Sequence, residues 1–298
     1  MMSQTKPILA ALALALAAAP AAAQELEDPP GHDRERGEIS PGTEAPSVEN
    51  LMNVITTIDE GSPNALFTLL EYGERVECHA CVPLLEAEIL ENDDARVREI
   101  AAWWLRRRPF GFAAVMRDMR VVLATDADPV RRARAAEAIG EFMEPAGIAH
   151  LEGALADVDA RVREAAVHGL ARINRVDANA VLVTAFEDAD ASVREAAVGE
   201  VLYVNFFPYR DELLGRLADE APTVRRRAAL ALGTLGETAA VPALVGLLEG
   251  DADPMVRQAS AWALGRLGTG DARAALRGRQ GVEDNRRVLD AIEVGLQR

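Results

Sequence analysis

The sequence predicts an all-α protein: a right-handed α-solenoid of stacked helix pairs, preceded by an export signal and an acidic tether. Three observations predict it. One arginine recurs at Arg98, Arg132, Arg163, Arg194, Arg225 and Arg257, with spacings of 34, 31, 31, 31 and 32 residues. A fixed set of companions stands around each copy. The composition is 49% hydrophobic but only 4% aromatic, with alanine supplying much of the apolar content; this suits helices packed through small side chains better than a sheet sandwich.

The elements follow in chain order. Lys6 supplies a positive start, and Ile8 to Ala19 is an apolar run too short to span a bilayer comfortably. Pro20 breaks the run, and Ala21-Ala22-Ala23 offers a small-residue cleavage site before Gln24. Residues 1–23 are therefore expected to be a secretory signal peptide, which places the mature chain in a periplasm. Residues 24–47 are rich in Pro, Gly, Glu and Asp without apolar periodicity, the pattern of a disordered tether, and His32 lies alone within it. No later segment is apolar enough for a membrane, so no insertion is expected after cleavage.

Charge narrows the partners. Lys6 is the only lysine, so beyond residue 23 the 48 carboxylates face 31 arginines, one fewer than the 32 basic residues of the whole chain. A balance this acidic argues against nucleic acid or anionic lipid as the main partner.

Residues 48–79 carry two apolar helical stretches split at Gly61-Ser62-Pro63. They lack the arginine signature and are expected to cap the array. Six repeats follow over residues 80–269. Six residues before each arginine stands a short polar residue: Asn92, Asp126, Asp157, Asp188, Asp219 and Asp251. Three after it stands a small residue, and seven after it an apolar one, as in Ala166 and Leu170. Valine precedes the arginine in five copies; in the second, Val130-Arg131 mimics the motif, but Arg132 keeps the other spacings, which implies a one-residue insertion. Each unit reads as a first helix, a turn such as Asp251-Ala252-Asp253-Pro254, and a second helix whose first turn takes Pro129, Pro222 or Pro254. Gly140, Gly233 and Gly268 mark helix ends or close packing. Residues 270–298 form a closing repeat with Glu283 in the polar slot and Leu289 in the arginine slot. A single pair of about 30 residues cannot bury its apolar face alone, so the units must stack.

The motif D-x-D-P-x-V-R-x-x-A-x-x-A-L-G resembles the HEAT repeat, and within it the HEAT-like repeat named after phycobilisome lyases, over about residues 80–298. The resemblance implies an exported bacterial HEAT repeat protein with a ladder of hydrogen bonds. Asp126, Asp157, Asp188, Asp219 and Asp251 would pair with the series Arg132, Arg163, Arg194, Arg225 and Arg257. The same design occurs in deoxyhypusine hydroxylase, which binds two irons through His-Glu dipeptides. Here Asp33, Ala80, Leu151 and Gly169 follow the four histidines, so that metal set does not carry over. No nucleophile elbow, Walker loop, dinucleotide fingerprint or zinc-protease motif is present.

Positions one, five and eight after each arginine lie opposite the core-facing stripe, at about 100° per residue. On this face the candidate binding residues are Glu99, Trp103, Arg106, Glu137, Glu164, His168, Glu195, Arg226 and Trp262. A charged face carrying tryptophans suits a protein or peptide, though each Trp could instead pack on the adjacent repeat.

Cys78-His79-Ala80-Cys81 lies just ahead of Pro83, which is expected to open the first helix of repeat one. Val82 follows the second cysteine, which rules out haem attachment of the Cys-x-x-Cys-His type. A structural disulfide, a redox dithiol and a metal site with a distant fourth ligand all remain open. The sequence thus favours a non-catalytic interaction scaffold without a cofactor. The alternatives are a redox or metal-linked accessory protein built on Cys78 and Cys81, or an oxidoreductase or lyase relative that has lost its metal ligands.

Overall fold

The computed structural model describes residues 47–56, 63–72, 76–108 and 111–297. The described residues belong to one compact unit, Glu44–Arg298. The expected signal peptide and all but the last residue of the tether lie outside them, as do Gly61 and Ser62 of the split between the first two helical stretches. Sixteen α-helices are described, with no strand among the described residues.

The helices alternate between two rows. The outer row is α1 (Val48–Thr56), α3 (Cys81–Glu91), α5 (Phe112–Thr125), α7 (Ile148–Ala154), α9 (Val176–Thr184), α11 (Arg210–Gly215), α13 (Val241–Gly250) and α15 (Gly270–Gln280). The inner row is α2 (Pro63–Tyr72), α4 (Ala95–Arg106), α6 (Pro129–Glu141), α8 (Ala160–Ile173), α10 (Ala191–Glu200), α12 (Pro222–Leu235), α14 (Pro254–Leu267) and α16 (Arg286–Leu296). Helices α1 and α2 stack on α3 and α4, so the N-terminal pair continues both rows. Its Leu51, Ile55, Leu66 and Leu70 are buried in the common core.

The turn inside each repeat is built by two polar residues with separate tasks. The first folds back on the backbone two residues later: Asp157 accepts from the Asp159 N–H at 2.9 Å, and Asp188 from that of Asp190 at 2.8 Å. The second caps the inner helix, as Asp94, Asp128, Asp159, Asp190, Asp253 and Asn285 all do. Such caps satisfy the orphan N–H groups of the first turn. Ala221 holds the same extended backbone, φ −81 and ψ 123, but has no side chain to cap with.

The arginine of one repeat reaches forward to the acid of the next. Arg132, Arg163, Arg194 and Arg225 each fork onto Asp157, Asp188, Asp219 and Asp251 with both nitrogen–oxygen distances between 2.7 and 2.9 Å. Each also donates through Nη1 to the carbonyl of its own repeat's acid, for example Arg163 to Asp157 at 2.9 Å. Arg257 ends the series on Glu283. The first rung departs from the expected ladder. Asp126 accepts from Arg131 Nε at 2.8 Å, while Arg98 turns to Glu137. The inserted Arg131, which also contacts Glu91, occupies the carboxylate that Arg98 would otherwise meet.

Inner helices approach one another closely. A Cβ at Gly140 would collide with the Gly169 backbone, and one at Gly265 would lie 2.5 Å from the Gly295 Cα. Helices usually pack about 8–10 Å apart, set by the side chains between them, and glycine removes that spacer. The outer helices touch their row neighbours far less, so the inner row takes the short side of the curve. This corrects one sequence expectation: Gly140, Ala171, Gly233 and Gly265, eight after the arginine, are buried in the seam between inner helices rather than open. A second correction concerns the first repeat. Its helix starts at Cys81, two residues before Pro83, which sits in the first turn where its missing N–H is not needed.

Candidate functional site

Past the glycine seam, the inner row presents a strip of charged side chains. Positions one, five and nine after each arginine form one helical stripe, since residues four apart stand above one another. Across α4 to α8 the stripe reads Glu99, Trp103, Arg107; Ala133, Glu137, Glu141; Glu164, His168, Arg172. It continues through Glu195, Gly199, Tyr203; Arg226, Leu230, Thr234; and Gln258, Trp262, Arg266.

The charges are tied between neighbouring helices. Arg98 pairs with Glu137 at 3.1 Å, and Arg226 with Glu195 at 3.5 Å. Arg172 binds Glu141 at 2.9 Å and reaches Glu99 at 3.6 Å. Arg106 donates to the Glu141 carbonyl at 2.9 Å. His168 Nδ1 lies 2.7 Å from Glu200, and Nε2 lies 3.9 Å from Glu164. The hydrogen bond to Glu200 raises the His168 pKa, against a smaller opposing effect of burial. Burial pushes the Glu141 carboxyl up, opposed by the Arg172 charge.

Three depressions in this strip run together at His168. The largest, about 540 Å³, lies between α6, α8 and α10 and is bordered by Arg106, Glu141, Arg172 and Tyr203. The others share His168 and carry the strip toward Glu99 on one side and Glu195 on the other. A fourth depression, about 470 Å³, lies between α12, α14 and α16 around Trp262.

The nine predicted residues all lie on the inner row but do not form one cluster. Glu99, Arg106, Glu137, Glu164, His168 and Glu195 border the joined depressions, and Arg226 and Trp262 border the fourth. Trp103 is half-buried, with its ring centroid 5.5 Å from that of Phe67 on α2 and Arg107 stacked at 4.6 Å. Trp262 is likewise half-buried beneath Arg266, at 5.4 Å.

Glu141, Arg172, Glu200 and Tyr203 were not among the predicted residues. Glu141, Arg172 and Tyr203 all fall on the next step of the stripe by count. For Tyr203 the count does not give the direction of the ring, because α10 stops at Glu200 and a loop presents it, 74% exposed. That loop is held from α8 and α9. Asn174 accepts from the Asn205 N–H at 2.8 Å, and Asn179 donates to the Phe206 carbonyl at 2.6 Å.

Cys78 and Cys81 are joined in a disulfide with their Cα atoms 5.3 Å apart, at the seam between the N-terminal pair and repeat one. Both are fully buried, so in this state the bond is shielded from thiol exchange. Among the described residues, no group of three or more His, Cys, Asp or Glu side chains is placed to hold a metal ion.

Paired antiparallel helices, a forward-reaching arginine in every regular repeat and a charged inner strip define an α-solenoid repeat protein. A family model described as HEAT repeats matches residues 82–171 and 210–297, more than half of the chain. The chain belongs to the HEAT repeat family. Among solved structures it is similar to YibA of Escherichia coli, at 17% identity and a TM-score of 0.53, covering 83% of this chain and 92% of that one. It is also similar to Kap121p bound to Nup53p, at 15% identity and a TM-score of 0.54, covering 83% of this chain and 33% of that one. Human deoxyhypusine hydroxylase aligns at 21% identity with a TM-score of 0.36, covering 84% and 96%. The first two likenesses show the fold. No curated protein matches the chain.

Proposed function

We propose that this protein is a non-catalytic scaffold that binds a segment of another protein along its inner helix row, after export across the inner membrane. The observation that carries the reading is the meeting of three depressions at His168, which makes an open strip across α4 to α10 rather than an enclosed pocket. The strip is lined by half-exposed charged groups beside an exposed aromatic ring, surface able to hold an extended segment by side-chain contacts. Export is supported by the leader-like residues 1–23 and by the Cys78–Cys81 disulfide, since such bonds persist in oxidising compartments.

Photo-crosslinking tests the binding face. A benzophenone side chain placed at Glu164 should give adducts in periplasmic extract, whereas one at Glu152 on outer helix α7 should not. Adducts from Glu152 alone, or equally from both positions, would overturn the reading. Fractionation tests export: the periplasmic form should begin near Gln24, and an uncleaved cytosolic chain would refute this part.

A further inference from the structure

The inner face changes sign along its length. The whole chain has a net charge of −16, yet residues 222–297 hold ten arginines against nine carboxylates. In this stretch Arg227, Arg266, Arg273, Arg277 and Arg287 have no carboxylate partner among the described residues, and Arg266 and Arg287 are the two that lie beside Trp262 or its depression. Arg266 lies over the Trp262 ring, and Arg287 Nη1 is 3.8 Å from the Met255 sulfur. In a chain with carboxylates in excess, arginines left without one stand out, because elsewhere on the inner row acids and arginines are paired across helices.

Arg287 borders the depression between α12, α14 and α16, and Arg266 stacks on the ring of Trp262, which also borders it. Its floor is apolar, made by Leu230, Trp262 and Val294, with Val294 about half exposed. Arg226 and Arg287 form its walls. The acids nearby are already engaged: Asp290 is paired with Arg286 at 2.9 Å, and Glu195 with Arg226. The site therefore offers an apolar seat centred on a tryptophan, with the Arg287 guanidinium at its wall free to take a carboxylate in a forked hydrogen bond and its one acid, Asp290, already held by Arg286.

Resting on the inner-row binding reading, we propose that this depression is the anchoring subsite and that it takes an acidic segment of the partner. An apolar side chain of that segment sits against Trp262, and a neighbouring Asp or Glu side chain is held by Arg287. A tryptophan at the centre of a depression with arginines around it is the composition of an interface hot spot. A positive patch on a negative molecule also steers an acidic segment to this end of the array, since the rest of the surface repels it.

The test uses the mature chain, residues 24–298, and a fluorescein-labelled heptapeptide of alternating glutamate and leucine. A second peptide carries lysine in place of glutamate. Fluorescence anisotropy should show binding of the acidic peptide and none of the basic one. Arg287→Glu should weaken binding about tenfold or more, with the thermal midpoint unchanged because its side chain is exposed. Trp262→Ala should weaken it at least as much. Arg277→Glu, the same charge change on outer helix α15, should leave it unaltered. The proposal falls if Arg277→Glu weakens binding as much as Arg287→Glu, if Arg287→Glu has no effect, or if the basic peptide binds equally. It also falls if the acidic peptide does not bind, including the case in which decanoate alone occupies the depression. Glu164 crosslinks that persist in Arg287→Glu would sink this subsite and keep the scaffold reading. Acidic-peptide binding at Trp262 without any partner at Glu164 would do the reverse.

Discussion

Arg194 holds the carboxylate of Asp219, 25 residues further along, through two hydrogen bonds of 2.9 Å each. Their side chains are only 7% and 4% exposed, so neither has water to fall back on. Asp219→Ala should therefore cost about 3 kcal/mol, because it leaves the buried Arg194 guanidinium with the exposed Glu220, at 3.3 Å, as its one acidic partner. Replacing both residues by apolar side chains of similar size should cost much less. Guanidinium unfolding of the two variants measures the difference, and equal losses would show that the pair is not coupled.

The end of the ladder gives a pH signature. Glu283 accepts from Arg257, which lowers its pKa to about 2 despite burial, with further help from the Asn285 N–H and Arg279. A carboxylate lowered on folding contributes stability that is complete above its unfolded pKa and is lost as pH falls through the folded value. Asp157, Asp188, Asp219 and Asp251 are lowered as well. The ladder's contribution should be complete above about pH 5 and weaken steeply from there toward pH 2, whereas the raised His168 contributes stability that is lost as pH rises above its unfolded value of about 6.5. Glu283→Gln should be less stable at neutral pH, with a shallower acid slope. A thermal midpoint that rises on acidification below about pH 5 would contradict this.

The uncapped helix α12 offers a gain. Ala221→Asp supplies the cap that other inner helices already have, on a backbone already in the right conformation. A midpoint increase equivalent to about 1 kcal/mol in urea is expected. No change would mean that the Ala221 site is crowded or that water already serves α12.

Ser260 is the one departure from alanine at the small core position, the other copies being Ala101, Ala135, Ala166, Ala197 and Ala228. It is fully buried, and its hydroxyl has no hydrogen-bond partner among the described residues. Ser260→Ala should stabilise by about 1 kcal/mol by removing an unsatisfied polar atom. A loss of stability would show that the hydroxyl is satisfied.

Gly140→Ala should act in the opposite direction. Its Cβ has only the Gly169 backbone to displace, so α6 and α8 must separate, at a cost of about 1–3 kcal/mol. Calorimetry of the variant checks this, and an unchanged midpoint would mean that the seam is loose.

These sites also show what could be read without coordinates. The arginine register was legible because it repeats, and the choice of Arg132 over Arg131 rested on three spacings at once. The open face was legible only by angle. Periodicity places Gly140 and Gly233 away from their own core, but it contains no distance to the next helix, and that distance buries them. Tyr203 sits in a loop where helical spacing no longer applies. The positive ground around Trp262 was hidden because counting charges does not say which arginines are already engaged.

The forward reach of the arginines gives the array a direction, with consequences for editing it. A block running from one arginine to the residue before the next, such as residues 132–162, contributes one donor and one acceptor. Duplicating or excising that block leaves the count balanced. Cutting is not symmetrical. Removing everything after residue 269 takes Glu283 away and leaves the Arg257 guanidinium unmatched, whereas an array begun at residue 157 leaves, within the ladder, the Asp157 carboxylate without its arginine. A cut from the C-terminal side therefore exposes an unmatched donor, and a cut from the N-terminal side an unmatched acceptor.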